Sequence, residues 1–363
     1  MNTFGKTIGL TIFGESHGLS IGAVLDGLPS GEAIDWDAVR SEMARRAPGK
    51  NKMSTARSEK DAFEVQSGFF NGHTTGTPLC AIIRNSDQHS RDYDQLRHIM
   101  RPGHADYSGK IRYGGFNDYR GGGHFSGRLT APLVFAGAIA LQILARHGIT
   151  VGSHILRLAG IADKPFDAAG ETAETLQALK KETLPVLDKA QAGPMEEKIL
   201  EAKNDLDSVG GVIECMVTGL PAGIGDPFFD SVESQLSHMM FSVPAVKGIE
   251  FGDGFALADL RGSQANDAFY YDGDAVKTRT NHNGGINGGI TNGMPVVFRL
   301  AVKPTASISQ KQETIDTDTK ENCDLVIKGR HDPCIVQRAI PVVEAAAAWA
   351  ILDVCLSEKG RCW

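Results

Sequence analysis

The chain has 363 residues, 41% hydrophobic and 22% charged, enough to bury a sizeable core in one large domain or two of ordinary size. A net charge of −7 and only 7% aromatic residues weigh against nucleic acid or an acidic membrane surface as partner. The 42 glycines point to many turns and close backbone approaches, as in a protein built around ligand loops.

None of the six cysteines forms a Cys-x-x-Cys pair or stands at zinc-finger spacing from histidine, so no metal site is expected. Glycine and charge interrupt the N-terminal "MNTFGKTIGLTIFGESHG" before a signal-peptide core forms. No apolar stretch reads as long and unbroken enough to span a bilayer, and free thiols suit a reducing compartment, so a cytoplasmic protein is expected. With no linker, repeat or composition break, one α+β domain over 1–363 is expected.

In chain order, runs rich in Val, Ile and Thr at 7–13 and 19–27 predict the first strands. Residues 45–60, "RRAPGKNKMSTARSEK", then hold six Lys/Arg against one acid. Such a run is either a solvated face or an anion site, and the guanidinium fork matches phosphate or carboxylate. A strand at 77–85 leads to "RPGHADYSGK" at 101–110, where His104 stands in a bare loop beside Arg101, Lys110 and Arg112. Those cations disfavour a charged imidazole, and a neutral one can take a proton or donate a hydrogen bond. The alternative is a loop histidine that satisfies a carbonyl.

"YRGGGHFSGRLT" at 119–130 runs a glycine loop into a helix start, where exposed N–H groups favour an anion. The helix predicted over 126–147 has Ser126 as N-cap candidate, Arg146 and His147 in its last turn and Gly148 as its stop. A strand run at 149–161 is followed by charged amphipathic helices over 162–208, then strands at 210–221 and 294–304. Between the last two lies a second glycine cluster, "NGGINGGITNG" at 283–293; Lys303, Thr305 and Ser307 after it offer one cation and two hydroxyls. "KGRHDPC" at 328–334 puts Asp332 just before an alanine-rich helix over 334–357 that is apolar on most faces and so reads as buried. Asp332 there is either a reactive carboxylate or a helix cap. Pro132 and Pro341 should bend the two long helices or mark late starts. Neither a Walker loop nor a dinucleotide fingerprint is present.

Three stretches, "GESHGLSIGAVLDGLPSG" at 14–31, "RPGHADY" at 101–107 and "GRHDPCIVQRAIPVVEA" at 329–345, resemble chorismate synthase. "RGGGHFSGR", "AVKGIEFGDGF", "RGSQANDAF" and "GGINGGITNG" resemble the same family in the same order, so the likeness runs from residue 6 to about 355. The resemblance implies a homotetramer whose subunit sandwiches long helices between antiparallel sheets. It implies conversion of 5-enolpyruvylshikimate 3-phosphate to chorismate and phosphate by a 1,4-anti elimination that needs reduced FMN without net redox change. It further implies that His17 protonates the leaving phosphate, His104 manages the proton at flavin N1 and Asp332 assists proton removal through flavin N5.

By the same resemblance, Arg46, Lys52, Arg101, Arg128 and Arg330 meet the substrate anions. FMN is met by His124, Phe125 and Ser126, by Pro244 and Ala245, by Gly288, by Lys303, Pro304, Thr305, Ala306 and Ser307, and by Arg330. Departures from the family's common pattern are His124-Phe125 for an Arg-Ser pair, Pro244 for an asparagine and Lys52 for an arginine. With no extra domain and no dinucleotide motif, NADPH is expected only as an indirect reductant working through a separate flavin reductase. Two rivals are a flavin-dependent oxidoreductase acting on an anionic small molecule and a nucleic-acid-binding module using the 45–60 run.

Overall fold

The β-branched runs pair into two five-stranded sheets, each antiparallel throughout. The first lays Thr3–Phe4, Gly9–Gly14, Ser20–Asp26, Leu79–Arg84 and Phe63–Ser67 side by side in that order. The second follows the order Val246–Phe251, Val296–Val302, Gly211–Thr218, Thr150–Leu158 and Ile161–Ala162. This computed structural model describes residues 1–49, 52–53, 61–85, 96–327 and 331–357. The 149–161 run is not one strand: Ala159 (φ 48°) and Gly160 (φ 88°) turn the chain back on itself.

Short 3₁₀ turns and four two-stranded ribbons aside, the described residues form eight α-helices: α1 (Trp36–Arg46), α2 (Asp106–Arg112), α3 (Thr130–Arg146), α4 (Ala173–Leu179), α5 (Ala192–Asn204), α6 (Val232–Met240), α7 (Gly262–Ala265) and α8 (Val336–Ser357). α3 and α8 pack on each other between the sheets, α3 touching both and α8 lying on the second. One apolar cluster runs through both sheets and the helices between them. At the helix crossing a Cβ on Gly137 would stand 2.3 Å from Ala345 Cα, so the backbones meet where a side chain is missing. Pro132 is tolerated in the first turn of α3, where no N–H partner is needed, and Gly148 (φ 75°) follows the helix as expected. Pro341 is carried inside α8 rather than at its start.

Two acids on α8 fasten it to its neighbours, as buried carboxylates require. Glu344 accepts from the Ser153 N–H and Oγ, each at 3.0 Å, and pairs with Arg45. Asp353 accepts from the backbone N–H groups of Lys6, Thr7 and Ile8 at 2.8–2.9 Å. One sequence expectation fails here. The segments 127–146 and 336–357 are long and apolar enough to cross a bilayer, by length and composition. They are core helices instead: most of the first and all of the second is buried within the fold.

Candidate active site

His17 lies in the turn that joins Gly9–Gly14 to Ser20–Asp26, and only 5% of it is exposed. Against it runs the loop Arg120–Phe125, whose Gly121, Gly122 and Gly123 all have positive φ (60°, 89° and 55°), backbone that residues with a Cβ rarely adopt. The loop is pinned where the Ser16 N–H donates to the Gly123 carbonyl at 3.1 Å and Ser16 Oγ donates to the Arg120 carbonyl at 3.2 Å. A Cβ on Gly121 would fall 2.1 Å from His17 Cε1, and one on Gly122 would sit 3.4 Å from His104 Cε1 and Nε2. Adjacent residues of one glycine loop therefore touch both histidines.

The purely cationic surroundings expected for His104 are not what its ring meets. Asp106 Oδ1 lies 2.7 Å from His104 Nδ1, while Lys110 turns away to Thr317 and Asp318. Arg101 grips the same carboxylate through Nε and Nη2 at 2.7 and 2.8 Å. Burial opposes ionisation of Asp106, but hydrogen bonds from Arg101 and His104 outweigh it and hold its carboxyl well below the usual range. Arg101 Nη1 also donates to Ser307 Oγ at 3.2 Å, and Lys303 Nζ donates to the Gly103 carbonyl. The Lys303–Ser307 run is thereby tied to the His104 loop.

A second cluster closes the other side. Asp61, buried to 3% exposure, takes Arg46 Nε at 2.9 Å on Oδ2 and Arg128 on Oδ1. Arg128 Nε donates to Asn85 Oδ1 at 3.1 Å, and Asn85 in turn donates to the carbonyls of Glu15 and Gly18 on either side of His17. Arg338 on α8 pairs with Asp332 and donates through Nε to the Arg46 carbonyl at 3.1 Å. Ser208 and Val209 then hydrogen-bond the Thr305 and Pro333 carbonyls, each at 2.8 Å, joining this cluster to the first. Among the described residues Arg46 and Arg128 share Asp61, Arg101 holds Asp106, Arg120 holds Asp118 and Arg338 holds Asp332, while Lys303 donates to a carbonyl. A rim this rich in arginine suits a multiply anionic ligand.

The remaining expected residues are placed as follows. His124 Nδ1 donates to the Gly14 carbonyl at 2.7 Å, which leaves Nε2 for any ligand. Phe125 packs against Gly109 of α2 and stands 6.2 Å from the Tyr113 ring, while Ser126 Oγ accepts from the Arg128 N–H at 3.3 Å. Pro244 leads into Ala245 (φ 73°), whose carbonyl accepts from the Lys303 N–H at 2.9 Å. Pro304 lies against Gly210, and Ala306 approaches Gly103. Gly288 caps the Ile286–Thr291 hairpin with open space above it, and that hairpin packs on Ser231 at the start of α6. Lys52 is not brought to the arginine cluster: its ammonium pairs with Glu196 on α5 at 2.6 Å. Arg330 lies outside the described residues, as does most of the 45–60 run.

Sequence reasoning missed Asp61, Asn85 and Arg338, and noted Asp106 without giving it a role. The one available signal was position: Asp106 is inside the His104 motif, and Asp61 directly follows the basic run.

Two histidines packed against one glycine loop, with arginines around them, form a candidate enzyme site carried on an α+β sandwich. A chorismate synthase family model matches residues 8–356. The chain is 45% identical over 355 residues to chorismate synthase of Dehalococcoides mccartyi, covering 98% of this chain and 96% of that one. It is 46% identical to chorismate synthase of Chitinophaga pinensis, covering 99% and 98% of the two chains. A crystal structure of a chorismate synthase superposes with a TM-score of 0.76 at 28% identity, covering 98% of this chain and 94% of the other. The chain belongs to the chorismate synthase family and is a lyase of the shikimate pathway.

Proposed function

We propose that the chain uses reduced FMN to release phosphate from 5-enolpyruvylshikimate 3-phosphate by 1,4-anti elimination, with His17, His104 and Asp332 managing the protons. The observation that carries this reading is the Gly121–Gly122 step, which lies against His17 on one residue and His104 on the next. His17 hands a proton to the departing phosphate oxygen. His104 holds or moves the proton at flavin N1. Asp332, held in place by Arg338, assists removal of the substrate proton. Arg46, Arg101 and Arg128 bind the substrate's phosphate and carboxylates, each already oriented by a buried aspartate.

The residues beside the His104 loop fit the cofactor. Thr305 Oγ1 is buried without a hydrogen-bond partner among the described residues, a cost that a bound ligand would remove. Lys303 and Ser307 flank it with a cation and a hydroxyl, and Ala245 and the 124–126 loop complete the cofactor assignment. Reduced flavin supplies electron density that eases C–O cleavage at a carbon with no adjacent carbonyl, without being consumed. Assembly as a homotetramer is supported by exposed aromatics such as Phe228 and Phe229, 86% and 90% accessible. Cys80, Cys215, Cys323 and Cys334 are free thiols, which suits a reducing, cytoplasmic setting; a separate reductase there supplies the flavin.

The test is anaerobic phosphate release with FMN reduced by dithionite. Chorismate and phosphate should appear in equal amounts with no stoichiometric use of reductant. Reductant consumed one-for-one with product would make the chain an oxidoreductase. NADPH with oxidised FMN should give little turnover until a flavin reductase is added; sustained turnover on NADPH alone would remove the separate reductase from the scheme.

A further inference from the structure

We infer that Asp106 is a positioning residue for the reaction: it locks His104 with the proton on Nδ1, so that Nε2, facing the glycine loop, is the ring's working nitrogen. The inference rests on the reading of His104 as an active-site group.

Asp106 Oδ2 accepts from the Arg101 backbone N–H at 3.1 Å and from Arg101 Nε at 2.7 Å. Its Oδ1 accepts from Arg101 Nη2 at 2.8 Å and lies 2.7 Å from His104 Nδ1. An ionised carboxylate only accepts, and four donors use its full capacity. His104 Nδ1 must therefore carry hydrogen, and in the neutral ring Nε2 is the acceptor. That nitrogen lies 3.4 Å from where a Gly122 Cβ would be, so the glycine keeps its approach open. The carboxyl's depressed pKa agrees with this saturation, because a group so fully engaged does not itself exchange the proton. The other charges near the dyad do not compete for it: Lys303 donates to the Gly103 carbonyl and Lys110 to Thr317 and Asp318.

The same geometry dictates what an amide would do. In Asp106→Asn, oxygen can occupy only one of the two positions. With nitrogen at the Oδ2 position it would oppose two Arg101 donors, neither of which can become an acceptor. With nitrogen at Oδ1 it opposes Arg101 Nη2 and His104 Nδ1, and imidazole can relieve its half of the conflict by moving its proton to Nε2. Asp106→Asn should therefore reverse the tautomer and remove the acceptor that faces the loop.

The experiment records long-range proton–nitrogen spectra of full-length protein with ¹⁵N-labelled histidine, with His104 assigned from its absence in His104→Ala. Native neutral His104 should be protonated on Nδ1. In Asp106→Asn the proton should sit on Nε2, and turnover should fall about 10²- to 10⁴-fold with a smaller change in KM. Native His104 protonated on Nε2 would overturn the inference, and this measurement needs no variant of Asp106 to fold. Turnover of Asp106→Asn within about twofold of native, beside an inactive His104→Ala, would also overturn it. So would lost turnover with an unchanged tautomer, since Asp106 would then be purely structural. A fully active His104→Ala would instead sink the active-site reading of His104, while the native spectrum still decides what Asp106 does to the ring.

Discussion

His154 sits in the middle of the second sheet with none of its side chain exposed, while His104 sits in a loop with 19% of its side chain exposed. Each ring faces carboxylate. His154 spends both nitrogens, Nδ1 on Asp163 at 3.0 Å and Nε2 on Glu214 at 2.9 Å, and Arg299 Nε donates to Glu214 from beside it at 2.8 Å. Only Nδ1 of His104 is spent on Asp106, and Nε2 looks toward a glycine. The contrast separates a histidine that fastens strands through both nitrogens from one that turns its second nitrogen to a loop. Burial alone does not make the distinction, since His17 is nearly as buried as His154. What matters is whether the backbone opposite has been stripped of side chain, as it is at Gly121 and Gly122.

The hardest test of the contrast is to delete each ring. His154→Ala leaves Asp163 and Glu214 without their shared partner, so unfolding should be easier by about 3–5 kcal/mol, read by denaturant or heat. Turnover per folded molecule should stay near native. His17→Ala and His104→Ala should behave in the opposite way, losing at least about a hundredfold in turnover with stability and assembly unchanged. If His154→Ala lost activity at native stability, or the other two lost stability at native activity, the division would be broken.

Acidity sharpens the comparison with a smaller effect. Burial opposes the charge on His154, but hydrogen bonds to Asp163 and Glu214 outweigh it and raise its pKa above the ordinary 6.5. The folded state then holds this proton more tightly than the unfolded chain does. Its contribution is complete below about pH 6.5 and is lost as pH rises through the folded value. Burial likewise opposes ionisation of Asp163 and Glu214, yet hydrogen bonds from His154 and nearby backbone N–H groups lower both carboxyls, so their share is lost on acidification instead. The melting temperature of the native protein should fall from about pH 6.5 upward, and more steeply than that of His154→Ala. Parallel curves would mean that the charge on His154 does not support the fold.

The smallest effect concerns His124, whose Nδ1 is committed to Gly14. If its Nε2 meets the cofactor phosphate, His124→Ala should weaken FMN binding about three- to tenfold, and His124→Arg, which restores a donor, should not. Fluorescence titrations decide it, and equal affinity of the native protein and His124→Ala would remove His124 from the cofactor site.

Much of this was legible in the chain. Most of the strands and the glycine stop after α3 follow from local backbone preference, whereas Ser126 caps a short 3₁₀ turn at Gly127–Leu129 and α3 itself starts later, at Thr130. His17 and His104 were named by their place in motifs that resemble the family's, not by their local chemistry. The two long helices were harder. Apolar pattern said buried, but a bilayer span has the same pattern, and only the sheets packed on both sides distinguish the two. Lys52 was read with the arginines by resemblance, as standing where the family commonly has an arginine, and the fold turns it toward Glu196 on α5 instead.

The sequence by itself determined most element types, the concentration of cations in the 45–60 and 101–128 segments and the family to which the chain belongs, because these depend on residue identity and order. Only the tertiary structure decided which charge meets which. Asp61 reaches Arg128 across 67 residues, and Arg338 reaches back across 292 residues to the Arg46 carbonyl. No periodicity encodes such distances; they exist only once α1, α3 and α8 have packed. The role inferred for Asp106 has the same origin. Its neighbours in sequence are local, but its meaning depends on Gly122 arriving opposite His104 from another part of the fold, leaving one nitrogen bound and the other open.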